Sequence, residues 1–289
     1  MDEGRRRGWA LAALGMLLVS TDSLFVRMAD TDPWTIAFVV SALSLIVQLI
    51  LQRRVEGGRP VDRFRAFPTS LLVVGLLSAC SQLLFIGSLT QTRVANVVVI
   101  VAASPVLAAV VGRLFFGERT DRRVWVAIVI TLIGVVVVVS ASIGSPNMTG
   151  DLLAVGAVAA FATNINIWRR FPQQSRFVGL AIAAALTVAI AAPFADPFQQ
   201  DRRVYLACIG MGVIFNPLGR LCHTSAPRHA PAAEVALFTP VETVAASAWA
   251  WLFFSEQPPV QTFIGAAVIV VGLVVGTLAR QGASPRLAT

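Results

Sequence analysis

The apolar residues of this 289-residue chain come in long blocks, with polar residues confined mainly to the gaps between them. A helix needs roughly 17–25 apolar residues to cross about 30 Å of hydrocarbon. Lipid offers backbone amides and carbonyls no partners, so blocks of that length must be helical. Composition agrees: 56% of residues are hydrophobic and 13% charged, against about 25% charged in a soluble domain. Polar punctuation predicts ten helices, near residues 9–27, 34–51, 68–89, 94–116, 123–142, 150–169, 177–194, 204–223, 231–254 and 260–279. Arg5, Arg6 and Arg7 ahead of an apolar run resemble a secretory leader. No small-x-small cleavage site follows Leu18, and the segment has a later counterpart, so it reads as a retained helix.

The net charge of +8 would point a soluble protein toward nucleic acid. Here the 23 basic residues are all arginine and lie almost entirely between apolar blocks. They therefore report topology, and no nucleic-acid partner is expected. With a cytoplasmic N-terminus, seventeen fall inside: Arg5, Arg6, Arg7, Arg53, Arg54, Arg59, Arg63, Arg65, Arg119, Arg122, Arg123, Arg169, Arg170, Arg176, Arg228, Arg280 and Arg286. Three fall outside, Arg93, Arg202 and Arg203, with Arg27, Arg113 and Arg220 near helix ends. The bias predicts a multi-pass protein of the inner (cell) membrane with both termini cytoplasmic. Cys80, Cys208 and Cys222 sit inside apolar blocks without metal-ligand spacing and read as packing residues. No metal or cofactor is expected.

The chain also matches itself. A shift of 138 residues lays Leu114-Phe115-Phe116-x-Glu118 on Leu252-Phe253-Phe254-x-Glu256, and Gly134 on Gly272. A shift of 142 lays Gly8 on Gly150, Thr21 on Thr163 and Arg27 on Arg169. Each half holds five helices, an odd number, so the halves enter the membrane from opposite sides. The loop 117–123 carries three arginines and its counterpart 255–259 carries none, in agreement. The expected fold is an all-α membrane protein of ten transmembrane helices, arranged as two inverted five-helix repeats over 1–143 and 144–289. Inverted repeats let one chain open equivalently to either side around a midplane site, as secondary transporters do.

The sequence resembles the drug/metabolite transporter superfamily, specifically its EamA-type ten-helix members, over essentially its whole length. The resemblance rests on Pro105 leading to Phe115-Phe116-Gly117-Glu118 and a helix with Gly134, and on a second copy from Pro240 to Phe254-Ser255-Glu256 with Gly272. Ser255 stands where the family usually has Gly, which weakens the match at that loop. The resemblance implies export or exchange of small metabolites such as amino acids, nucleobases or sugar derivatives. It also implies a central cavity lined chiefly by the first, third, fourth, sixth, eighth and ninth helices.

Polar groups at bilayer depth are the candidate substrate- or proton-binding residues, because a charge there costs about 2.5–3.5 kcal/mol on insertion scales. Glu242 lies mid-way along the ninth helix, two residues after Pro240, which frees a carbonyl one turn upstream. A buried structural carboxylate is the alternative. Asp22 and Asn164 occupy one position in the two copies, each about 7 Å from its helix centre. Interfacial placement of Asp22 and an interhelical hydrogen bond from Asn164 are the alternatives. Gln82 and Asn216 are further cavity candidates that interhelical bonding explains equally well. For Arg220, snorkelling competes with pairing to Glu242 or to a substrate carboxylate. Pro105 and Pro240 are the expected hinges, Pro105 the better placed. His223 and His229 are expected at the surface, Glu118 and Glu256 as solvated charges or caps, and most tryptophans as interfacial anchors.

These readings converge on a secondary transporter, an exporter of a small metabolite such as an amino acid or related polar solute, working by alternating access. Its expected partners are that solute and the lipid bilayer; a homodimer is compatible with the sequence. The rivals are a non-transporting scaffold or sensor and, less favoured, an intramembrane enzyme. There is no ATP-binding G-x-x-x-x-G-K-[ST] loop, and neither H-E-x-x-H nor G-x-S-x-G occurs.

Overall fold

The computed structural model describes residues 3–92, 94–140, 147–255 and 259–278, and every regular element among them is a helix. Arg93, Glu256, Arg280, Arg286 and the junction expected at 143–144 lie outside the described residues. The first apolar block forms α1a (Glu3–Val19) and α1b (Thr21–Ala29). It is followed by α2 (Pro33–Leu51), α3 (Pro68–Gln91), α4a (Val94–Ala102), α4b (Ser104–Phe116) and α5 (Arg122–Val139). Then come α6 (Met148–Arg170), α7 (Arg176–Ala191), α8a (Arg202–Ile209) and α8b (Asn216–Ser225). Last are α9a (Ala232–Ala236), α9b (Thr239–Phe254) and α10 (Val260–Leu278). A short exposed helix, Pro60–Ala66, joins α2 to α3 and has no counterpart among the expected blocks. Eight helices are long and apolar enough to cross a membrane; α5 and the 16-residue α7 are not among them.

Three helices break where proline removes a backbone donor. Pro105 and Pro240 each occupy the second position of a restarted helix, after turns at Ala103 and at Leu237–Phe238. The first helical turn leaves its amides unpaired anyway, so proline costs nothing there. In α8 the break is a π-helical stretch, Gly210–Phe215, ahead of Pro217. A π turn pairs residue i with i+5, so the Gly212 carbonyl would look to Pro217, which has no amide hydrogen. Ser44 of α2 supplies the missing donor, its hydroxyl lying 3.0 Å from that carbonyl.

Close packing comes from small residues, as expected where lipid offers no hydrophobic drive between helices. At Gly134 of α5 a Cβ would lie 2.9 Å from the Gly265 carbonyl of α10, and at Gly272 one would lie 3.1 Å from the Thr131 amide. Glycine is required at both because the two backbones nearly touch.

The bundle closes unequally at its two ends. Where Arg5, Glu118, Arg169 and Arg228 gather, all five residues of α9a are buried, as is the run Asn164–Trp168 of α6. Along the 16 residues of α9b, toward the other end, only Thr239, Pro240 and Ala245 are buried. The arginine-rich end is sealed, and the opposite half is looser.

Candidate functional site

The site is assembled at the helix breaks. Ser104 begins α4b and Thr239 begins α9b, and their hydroxyls lie 3.3 Å apart. The two interrupted helices are thus tied together where each is broken. Glu242 lies in the first turn of α9b, where unpaired amides and the helix dipole favour a carboxylate.

Three charged side chains meet at this depth. Asn216, the first residue of α8b, donates its amide to Asp22 Oδ2 of α1b at 2.9 Å. One turn further along α8b, Arg220 donates through Nη2 to Gln82 Oε1 of α3 at 3.0 Å. Arg220 lies within electrostatic reach of both Asp22 and Glu242, and the two carboxylates feel each other. Asp22 Oδ1 is buried and accepts no hydrogen bond from the described residues. A buried acceptor left unsatisfied costs about 1–3 kcal/mol, so this oxygen is a standing demand for a proton or a cationic donor. Five of the six residues singled out from sequence therefore share one site: Asp22, Gln82, Asn216, Arg220 and Glu242.

Asn164 is engaged elsewhere, donating to the Val74 carbonyl at 2.7 Å and to Ser78 Oγ at 3.0 Å. Arg220 does not snorkel: its guanidinium turns inward to Gln82, because helix-facing acceptors at that depth compete with the distant headgroups. His223 is likewise not at the surface. It is 6% exposed and stacks on Phe161 at 5.4 Å between ring centroids, with Nε2 unpartnered among the described residues. Together Asn216, Arg220 and His223 form a polar stripe, at spacing i, i+4, i+7, on the inner face of α8b. That spacing was available in the sequence as a signal for His223.

Polar contacts hold the sealed end. Glu234 of α9a is 3% exposed and accepts from Arg5 Nε at 2.7 Å and from Trp9 Nε1 at 3.0 Å. Trp9 and the 2%-exposed Trp168 therefore act inside the bundle rather than as interfacial anchors. Arg169 at the end of α6 donates to Glu118 at 3.1 Å and, through Nη1, to the Pro227 carbonyl at 3.0 Å and the Arg228 carbonyl at 3.4 Å. Burial and the neighbouring Arg7, Arg228, Arg176 and Arg169 hold His229 below the ordinary imidazole range. No group of three or more metal-ligating side chains occurs among the described residues.

Comparison with known proteins bears on this arrangement. The profile of the EamA-like transporter family matches residues 6–140 and again 148–278. Pseudopaline exporter CntI of Pseudomonas aeruginosa, from strains UCBPP-PA14 and PAO1, is 26% identical over 283 residues, covering 96% of this chain and 98% of its own. A crystal structure of a protein 18% identical covers 96% of this chain and 100% of its own with a TM-score of 0.81. At that identity the likeness speaks to the fold alone.

Proposed function

The chain belongs to the EamA-like transporter family, and we propose that within it this protein exports an amino acid or related polar solute by alternating access between two inverted five-helix repeats. It is a multi-pass membrane transporter of a small metabolite and not an enzyme. The observation that carries the finer reading is the meeting of Asp22, Arg220 and Glu242 inside an otherwise apolar bundle. Charges of both signs at bilayer depth are expensive and mark solute or ion pathways. Asp22 Oδ1 and Glu242 would hold a cationic group or a coupling proton, and Arg220 a carboxylate.

Pairwise geometry supports the repeat, the ten spans, and the division at 143–144. The shifts of 138 and 142 residues turn the Asp22–Asn216 contact into Asn164–Ser78, and both are hydrogen bonds. They turn the close approach of Gly8 to Ala230 into that of Gly150 to Thr92, and Gly134–Ile269 into Gly272–Thr131. Arg220–Gln82 maps onto itself, as a contact on a two-fold axis must. In this reading the arginine-rich sealed end is cytoplasmic in the cell membrane, both termini are on that side, and Pro105 and Pro240 act as hinges. The name of the Pseudomonas relative, an exporter, supports the outward direction.

Flux in proteoliposomes tests the proposal, with amino acids, related polar solutes and pseudopaline as the panel. Wild-type protein should move at least one of them, and Glu242→Gln should reduce that flux on the order of tenfold, the effect of losing one charge-assisted contact. If Glu242 carries a coupling proton, the Gln variant loses the pH dependence of transport while exchange persists. A folded wild-type protein that moves nothing in the panel would leave the scaffold reading in its place.

A further inference from the structure

Arg169 and Arg27 occupy one position in the two repeats, at the ends of α6 and α1b. They lie at opposite ends of the bundle. Arg169 adjoins the sealed end with Arg228, whereas Arg27 stands 22 residues along α1 from Arg5, roughly 33 Å at 1.5 Å per residue. Their present environments differ. Arg169 reaches from α6 across to the carbonyls of Pro227 and Arg228, which end the α8 segment in the other repeat-derived wall. Arg27 instead stacks over Phe254 at the end of α9b, 4.7 Å from the ring centroid. The counterpart of Phe254 is Phe116, at the end of α4b beside Glu118, so each arginine has a home on the helix-end motif Phe-Phe-x-Glu.

We propose that Arg169 and Arg27 are reciprocal latches of the transport cycle: Arg169 clamps the cytoplasmic end in the state seen here, and Arg27 clamps the outer end in the alternate state. The inference rests on the inverted-repeat reading. The shift of 138 residues maps Pro227 and Arg228 onto Leu89 and Thr90, in the last turn of α3. Carbonyls at the end of a helix lack intrahelical donors, which makes them natural acceptors for a guanidinium. Arg169 takes two such carbonyls while keeping Glu118 on its other edge, a use of the planar fork that lysine cannot reproduce. Arg27 would leave the Phe254 face and take the carbonyls of α3 when the outer halves close. The two arginines then bias one equilibrium in opposite directions, since each bonds across the walls in only one state.

Cysteine accessibility tests this without any substrate. With Cys80, Cys208 and Cys222 replaced by alanine, Ala232→Cys places a reporter in the sealed seam. Ala232 is 1% exposed there and packs with Ala108, Ala162 and Ile165. Inside-out vesicles are labelled with a membrane-impermeant maleimide. Arg169→Gln should raise the labelling rate on the order of tenfold, and adding Arg27→Gln should bring it back down by a similar factor. Arg169→Lys, which keeps the charge but loses the fork, should fall between. A double variant that labels as fast as Arg169→Gln, or faster, overturns the proposal. Equal labelling of wild type and Arg169→Gln, with both folded by thermal unfolding, overturns it as well. Solute flux in the same vesicles separates the two readings: flux without opposed latch effects leaves the transporter standing, whereas absent flux across the panel removes alternating access itself.

Discussion

The contact joining the N-terminus to α9a is the sharpest test of how the sealed end is held. Glu234 is 3% exposed and receives both Arg5 and Trp9. Replacing it with alanine strands a guanidinium whose side chain is only 15% exposed, together with an indole N–H. Breaking a fully buried pair from one side costs about 3–5 kcal/mol. Arg5 lies near the end of its helix and recovers part of that by reaching water, so about 2–4 kcal/mol is expected. The double cycle Glu234→Gln, Arg5→Gln and both together isolates the pair itself, and should return a coupling of about 1.5–3 kcal/mol, the range for a charge-assisted hydrogen bond. Reversible unfolding in detergent provides the measurement. A coupling below about 0.5 kcal/mol would show that the pair behaves as an exposed surface bridge, and the argument from burial would fail. Because Arg5 and Glu234 bind α1 to α9 within one wall, the cycle should leave labelling of Ala232→Cys unchanged, unlike Arg169→Gln.

Three further outcomes follow from particular contacts. Ser255 caps α9b at φ 55°, the left-handed conformation that Gly117 adopts at φ 69° after α4b, so Ser255→Gly should stabilise the protein by about 0.5–1 kcal/mol in chemical unfolding; a loss would contradict the strain argument. Gly272→Val should destabilise by at least about 2 kcal/mol or abolish folded yield, because its Cβ would collide with Thr131 Oγ1 and crowd the Thr131 amide; wild-type melting would show that α5 and α10 separate freely. For His229 the folded form disfavours the proton, so its contribution is fully present above the ordinary imidazole range and is lost as pH falls through it. Thermal stability should therefore drop on acidification in that window, and His229→Asn should flatten the profile.

Much of the site was legible in the sequence because lipid makes polar residues conspicuous. Asp22, Gln82, Asn216, Arg220 and Glu242 stood out as exceptions within apolar blocks, and the structure brings these five together. Direction was harder to read than identity. A single helix cannot say whether a long arginine turns outward to headgroups or inward to a neighbour's amide, so Arg220 was open until α3 was placed beside α8. The tryptophans failed for the same reason: Trp9 and Trp168 have interfacial positions along their helices but inward azimuths.

The sequence by itself determined that the chain is helical and embedded in lipid, and where the helices begin and end, because block length and backbone desolvation leave no other solution. Its arginines and internal matches also carried the expectation of an inverted pair of halves. Only the tertiary structure decided which polar groups face one another, that Asp22 Oδ1 accepts no hydrogen bond while Asn164 is satisfied, and that one end is sealed while the other is loose. Those are facts of helix rotation and of contact between distant segments, and near-identical local sequences in the two repeats do not distinguish them. The balance between the two end states turns on a few hydrogen bonds across the walls, far smaller in energy than the burial that sets the fold.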